Sequence, residues 1–174
     1  MVVDLECHMA TKTNKKEQKY LRLLLHLERI VGNETDLISI MATSACELYH
    51  SFKDFNWVGF YRVTEKDVLK IGPYQGEHGC LTISFDRGVC GVAARKKTTQ
   101  LVPDVSKVPY HIACSPKTRS EIVVPLIQRR KVIGVLDIDS HKFSAFDAVD
   151  KKYLEMICEM IVGRSSGATP VSLK

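Results

Sequence analysis

The run SEIVVPLIQRRKVIGVLDIDS, residues 120–140, constrains the fold of this chain more than any other stretch. Two segments rich in β-branched residues flank the polar QRRK, which predicts two antiparallel strands turned at Gln128 to Lys131. Within VIGVLDIDS, period-2 alternation puts Ile133, Val135, Asp137 and Asp139 on one face, so two acids continue a side that begins apolar. Such acids need partners. Glu121 leads into the first strand, and hairpin pairing can bring it to the pair, with the register left open by the sequence. Closely spaced carboxylates raise one another's pKa, which would keep one protonated near neutral pH as a proton donor, or they could hold a substrate ammonium group. The competing reading is a set of strand-end acids facing water or a lysine.

The remaining elements follow from spacing and punctuation. Tyr20, Leu24, Leu27 and Val31 recur at helical spacing from Lys15 on, and Gly32 supplies a stop. Asn33 or Thr35 can cap a second helix to about Ser51, with Leu37, Ile40, Met41, Ser44, Ala45 and Leu48 on its inner face and Cys46 a buried or semi-buried member. FNWVGFYRV and VLKIGPYQG, joined by TEKD, read as two strands. Alternation gives Phe55, Trp57, Gly59 and Tyr61 one face, which lines either a core or a pocket. A short strand near Leu81 to Ser84 precedes a helix opened by Gly88, and residues 103–119 read as a long irregular loop of the kind that often carries a site. Ser144 and Asp147 in SAFD resemble a capping box for a last helix ending near Gly163. The order gives an α+β domain whose mainly antiparallel sheet is covered by helices, without internal repeat or linker.

With 174 residues and 45% apolar content, one domain is expected, over residues 15–163, with a disordered extension at 1–14 and a disordered tail at 164–174. The first residues lack a basic stretch followed by an apolar one, and no apolar run approaches membrane-spanning length, so a cytoplasmic protein without a membrane partner is expected. The net charge of +5 comes from short basic groups separated by acids, without an aromatic-rich basic stripe. That pattern reads as a solvated surface and argues against nucleic acid as a partner.

A reducing compartment disfavours structural disulfides, so the gathering of Cys80, Cys90 and Cys114 within residues 78–121 raises a chemical question. Cys114 lies in the long loop, where Pro116 discourages a burying helix. Cys80 follows His78 and Gly79 at a strand end. Cys90, near a predicted helix N-terminus where the macrodipole would lower its pKa, is a rival nucleophile. Each of the three could equally be a small buried hydrophobe. Zinc is the chemical competitor, from Cys80, Cys90, Cys114, His78 and His111, but no paired knuckle spacing is present, so no metal or other cofactor is expected. His111 alone reads more simply as a loop histidine.

The ordered series NWVGFY, GPYQGEHGC, GVCG, VPDV, HIACSPKTRSEIVVPL and GVLDIDS resembles the free methionine-(R)-sulfoxide reductases, small GAF-domain enzymes, over roughly residues 33–163. The resemblance implies a six-stranded antiparallel sheet between helices. It implies that Cys114 attacks the sulfur of free methionine sulfoxide and becomes a sulfenic acid, and that Cys80 then forms a disulfide with it, opened by thioredoxin or a related dithiol protein. It leaves Cys90 as an alternative resolving thiol or a helper. In the matching positions Trp57 packs beside the substrate methyl group. Tyr61, Glu121, Asp137 and Asp139 line the polar side, where they hold the amino group and polarise or protonate the sulfoxide oxygen. Backbone amides around Ile112, Ala113 and Cys114 would hold the carboxylate. Family members are usually homodimers. Cys7, Cys46 and Cys158 match no motif. Two other classes of function stand beside the reductase: a GAF module that binds a small regulatory ligand without chemistry, and a zinc-stabilised structural domain.

Overall fold

The computed structural model describes residues 14–109, 112 and 114–167. Helix α1 (Lys15–Val31) begins at a capping box, in which the Asn14 side chain accepts from the Glu17 amide at 2.9 Å and the Glu17 carboxylate accepts from the Asn14 amide at 3.1 Å. Tyr20, Leu24, Leu27 and Val31 are buried as their spacing predicts, and Leu23 joins them. Helix α2 (Leu37–Ser51) is capped by Asp36, not by Asn33 or Thr35. The Asp36 carboxylate accepts from the Ser39 amide at 2.7 Å, and a charged acceptor competes best for a helix start. Thr35 is spent in the turn before it, where its own amide donates to Glu34 at 2.7 Å.

The strands are β1 (Trp57–Glu65), β2 (Val68–Gln75), β3 (Thr82–Ser84), β4 (Gln100–Val102), β5 (Ser120–Gln128) and β6 (Lys131–Ser140). Helix α3 (Gly88–Lys96) lies between β3 and β4, and α4 (Ala148–Ser165) follows β6. The sheet order is β3-β2-β1-β6-β5-β4, with every neighbouring pair antiparallel. Strand β4 is absent from the sequence reading. Three residues are too few to display alternation, and Gln100, Leu101 and Val102 become a strand only by pairing with Val123, Ile122 and Glu121. The long loop after β4 contains one 3-10 turn, Val105–Lys107, capped by Asp104.

Two apolar layers sit on opposite faces of the sheet. On one face α1, α2 and α4 cover Val58, Phe60, Ile122, Val124, Leu136 and Ile138. On the other, α3 and the loops cover Trp57, Tyr61, Val123 and Val135. Phe55, expected beside Trp57, belongs to the first layer. It precedes β1, so strand alternation does not reach it, and its ring stacks on Phe52 with centroids 4.5 Å apart. Ile133, expected beside Val135, also packs on the first layer. Leu126 pairs with Gly134 but Ile127 with Val132, leaving Ile133 as the extra residue of a β-bulge that inverts the facing.

The cap of α4 differs from expectation as well. Asp147 is the cap and pairs reciprocally with Asp150, whereas Ser144 lies in the left-handed region at φ 51. The intervening Phe146 is buried in the first layer, which fixes where the chain can turn into the helix. Asp150 is fully buried, yet it accepts from the Tyr20 hydroxyl at 2.7 Å and pairs with Lys16, tying α4 to α1. The helix ends at Ser165, so the first residues of the expected tail are helical. Residues 168–174 of that tail and most of the expected N-terminal extension, with Cys7, fall outside the described residues. Among the described residues no helix is long and apolar enough to cross a membrane.

Candidate active site

Strand register builds the site. Asp139 of β6 lies between Trp57 of β1 and Glu121 of β5, and one rung further Asp137 lies between Gly59 and Val123. Side chains two apart on a strand share a face, so Trp57, Tyr61, Glu121, Asp137 and Asp139 all meet on the face away from α1, α2 and α4. They line a cavity of about 390 Å³, a size suited to a small metabolite. The Trp57 ring stacks on Tyr61 and Tyr74 with centroids 5.9 and 5.5 Å away, and its Nε1 donates to the Glu77 carbonyl at 2.8 Å. These contacts hold the indole as a fixed wall. A disulfide joins Cys80 to Cys114 beside the cavity, with 5.6 Å between their Cα atoms. Cys114 is exposed and Cys80 half-buried, and Cys114 lines the cavity.

The three acids are crowded and dry. Glu121 and Asp137 are 5% and 6% exposed, and Asp139 is half-buried. Burial, then the nearby Asp137 and Asp139 charges, pushes Glu121 well above the usual carboxylate range. Burial followed by the Asp137 charge does the same for Asp139. Asp137 is raised by burial to only about 7, because hydrogen bonds from the Cys90 thiol and from Glu121 favour its anion. Asp137 is therefore the acid of the three that ionises most readily, beside two that are held neutral. The Asp137 Oδ1 atom is buried with no hydrogen-bond partner.

The expectation that the helix dipole lowers the Cys90 pKa is overturned. Cys90 sits in the first turn of α3, but it is 3% exposed, and burial and then the charges of Asp137 and Glu121 push its thiol well above the ordinary range. A helix dipole acts on a thiol that water can reach, and here desolvation beside acids is the larger effect. Of the zinc ligands weighed from sequence, Cys80 and Cys114 are consumed in the disulfide and His111 lies outside the described residues. The ligand-type groups that do cluster among the described residues are Cys90, Glu121 and Asp137, within 4.8 Å of one another, and Asp137 accepts hydrogen bonds from the other two.

The GAF domain family matches residues 32–161. A protein of Saccharomyces cerevisiae named free methionine-R-sulfoxide reductase is 40% identical over 162 residues, covering 88% of this chain and 90% of its own. The Escherichia coli protein of the same name is 38% identical over 142 residues, 82% of this chain and 86% of its own. Among solved structures, free methionine-R-sulfoxide reductase from Neisseria meningitidis in complex with its substrate superposes with a TM-score of 0.85 at 41% identity, covering 90% of this chain and 93% of that one. The chain belongs to the free methionine-(R)-sulfoxide reductase family of GAF-domain proteins. The six-stranded sheet and its helices are those the family resemblance implied.

The fold brings together Cys80, Cys90, Cys114, Trp57, Tyr61, Ile112, Glu121, Asp137 and Asp139 around one cavity, while Ala113 lies outside the described residues. The Cys114 amide, expected to be available to a carboxylate, donates instead to the Ile112 carbonyl at 2.9 Å in this disulfide-bonded state. Sequence reasoning missed Asn56, Ser115, Thr118 and His141, which also line the cavity. The Asn56 side-chain oxygen accepts from the His141 amide at 2.8 Å, and the Asn56 backbone N–H donates to the Asp139 backbone carbonyl at 2.8 Å. A polar residue placed just ahead of the aromatic strand was the available signal. At the rim Lys117 pairs with Glu77, joining the two loops that carry Cys114 and Cys80.

Proposed function

We propose that this chain reduces free L-methionine-(R)-sulfoxide to methionine. The observation that carries the reading is the Cys80–Cys114 disulfide beside a cavity that holds two neutral carboxyl groups, because a sulfoxide needs both a thiol at sulfur and a proton at oxygen. In the cycle, the Cys114 thiolate attacks the sulfoxide sulfur while Glu121 or Asp139 delivers a proton to the oxygen. The oxygen passes to Cys114 as a sulfenic acid, and methionine leaves with the electron pair on its sulfur. The Cys80 thiol then attacks the sulfenic sulfur and expels water, forming the disulfide. A dithiol protein such as thioredoxin reduces the bridge and is itself oxidised. Trp57 receives the methyl end of the substrate, Tyr61 lines the polar side with the acids, and the Asp137 carboxylate holds the ammonium group. Ile112, Ala113 and Cys114 offer backbone amides to the carboxylate once the bridge is open. A cytoplasmic homodimer is part of the same reading.

The test is incubation with racemic free methionine sulfoxide and a dithiol reductant, following each epimer. Loss of the R epimer alone is expected, peptide-embedded methionine sulfoxide should react poorly, and Cys114→Ser should abolish turnover while leaving binding measurable. A ligand-binding GAF module without chemistry would consume neither epimer.

A further inference from the structure

Cys90 has no disulfide partner and is almost wholly buried, which leaves its presence in the site unexplained by thiol exchange. Its surroundings are built with care. Gly88, at φ 70, lets the chain enter α3 directly under Ile112, and a side-chain carbon added there would lie 3.1 Å from the Ile112 Cδ1. Gly91 lies against the end of β3, where such a carbon would come within 2.5 Å of the Ser84 carbonyl oxygen. The two glycines of GVCG thus press the first turn of α3 onto the sheet, and the thiol between them lies within 4.8 Å of a carboxylate oxygen of Asp137 and of Glu121.

We propose that Cys90 is a positioning residue: its thiol donates to Asp137 and fixes that carboxylate as the acceptor for the substrate ammonium group, and it forms no disulfide during turnover. The inference rests on the reductase reading above. The redox steps balance with Cys80 and Cys114 alone, so Cys90 is required neither to give nor to take electrons. Asp137 is faced by Cys90 from α3, by Glu121 from β5, by Tyr61 from β1 and by Asp139 along its own strand, with Glu77, His78 and His141 further out around the cavity. Of the three hydrogen bonds that favour its anion, from the Cys90 thiol, from Glu121 and from the Ile138 amide, the one from Cys90 is the largest influence. Asp137 Oδ1 is then the buried, unpartnered acceptor left for a cation.

Cys90→Ala and Cys90→Ser separate this role from a redox one. Without reductant, one equivalent of substrate should give the Cys80–Cys114 bridge in the parent and in both variants, read by mass spectrometry. Cys90→Ala should raise KM for free methionine sulfoxide about tenfold at neutral pH, more than it lowers kcat. Its acidic limb of kcat/KM should move to higher pH, because Asp137 has lost a bond that favours its anion. Cys90→Ser, which keeps a donor, should recover most of both effects. A peptide containing Cys90 bridged to Cys80 or Cys114, or a serine variant no better than alanine, overturns the proposal. Should the parent show no turnover, the reductase reading fails, and NMR titration of the Asp137 carboxyl carbon in the reduced protein decides the role of Cys90. An upward displacement in Cys90→Ala reversed in Cys90→Ser sustains it, and identical titrations overturn it.

Discussion

The two faces of β6 share one backbone and nearly the same burial, yet they do opposite things to the free energy of the fold. Leu136 and Ile138 are fully buried against the helical layer, where each contributes about 2 kcal/mol through removal from water. Asp137, between them in sequence, is almost as buried on the other face, where losing water is unfavourable. That cost is contained because Glu121 and Asp139 are held neutral and Asp137 accepts hydrogen bonds. One side of the strand is burial used for stability, and the other is burial used for chemistry.

The comparison breaks first on the helical side. Leu136→Ala should lower stability by about 3 kcal/mol, because the removed atoms leave a cavity among the fully buried Ile138, Phe60 and Leu154, and urea denaturation would read it. Similar midpoints for variant and parent would mean that this layer is not the tightly packed core described. The mirror-image prediction belongs to the acid face. Glu121→Gln or Asp139→Asn should lower kcat/KM for free methionine sulfoxide about 100-fold with little change in melting temperature, in line with the loss of a general acid. A normal rate in both variants would return these residues to the class of strand-end surface charge.

A third prediction concerns pH. Asp137 is raised from 3.8 to about 7, and Glu121 and Asp139 are raised too, so the folded chain retains protons that the unfolded chain releases. The Asp137 contribution to stability is complete below the ordinary carboxylate range and is lost as pH rises from about 4 towards about 7, and those of Glu121 and Asp139 decline in the same direction as pH rises. Urea midpoints across that window should fall in the parent and fall less steeply in Asp137→Asn. The smallest effect lies away from both faces. Arg129 and Arg130 turn the β5–β6 hairpin with φ of 48 and 67, a conformation that suits glycine or asparagine. Arg130→Gly should raise stability by up to about 1 kcal/mol and leave activity unchanged, read by thermal melts and the epimer assay.

Much of this molecule is legible in the residue order, and the failures share a cause. The hairpin of β5 and β6, the helices α1 and α2, the common face of Trp57 and Tyr61 on their strand and that of Asp137 and Asp139 on theirs come from local periodicity, which the sequence displays directly. Strand β4, the bulge at Ile133 and the placing of Phe55 depend on what another segment does opposite them, and no local pattern carries that information. For the site, the acids could be suspected from an apolar face that turns polar. Cys90 could not be read in the same way, because the sign of its pKa shift depends on whether water reaches the first turn of α3 and which charges lie opposite. A helix N-terminus alone argued for a reactive thiol, and burial against Asp137 and Glu121 reversed it.

The disulfide between Cys80 and Cys114 also bears on how long the molecule lasts. The bridge spans 34 residues and connects opposite halves of the sheet, one end lying between β2 and β3 and the other in the connection before β5. Closing a loop of that size removes denatured-chain entropy worth about 4 kcal/mol at room temperature. In the proposed cycle the oxidised form has its nucleophile tied up and is the harder of the two to unfold. Scarcity of dithiol would therefore bank the protein in its durable, idle form, while proteases that act on unfolded chains would draw mainly on the reduced, working population.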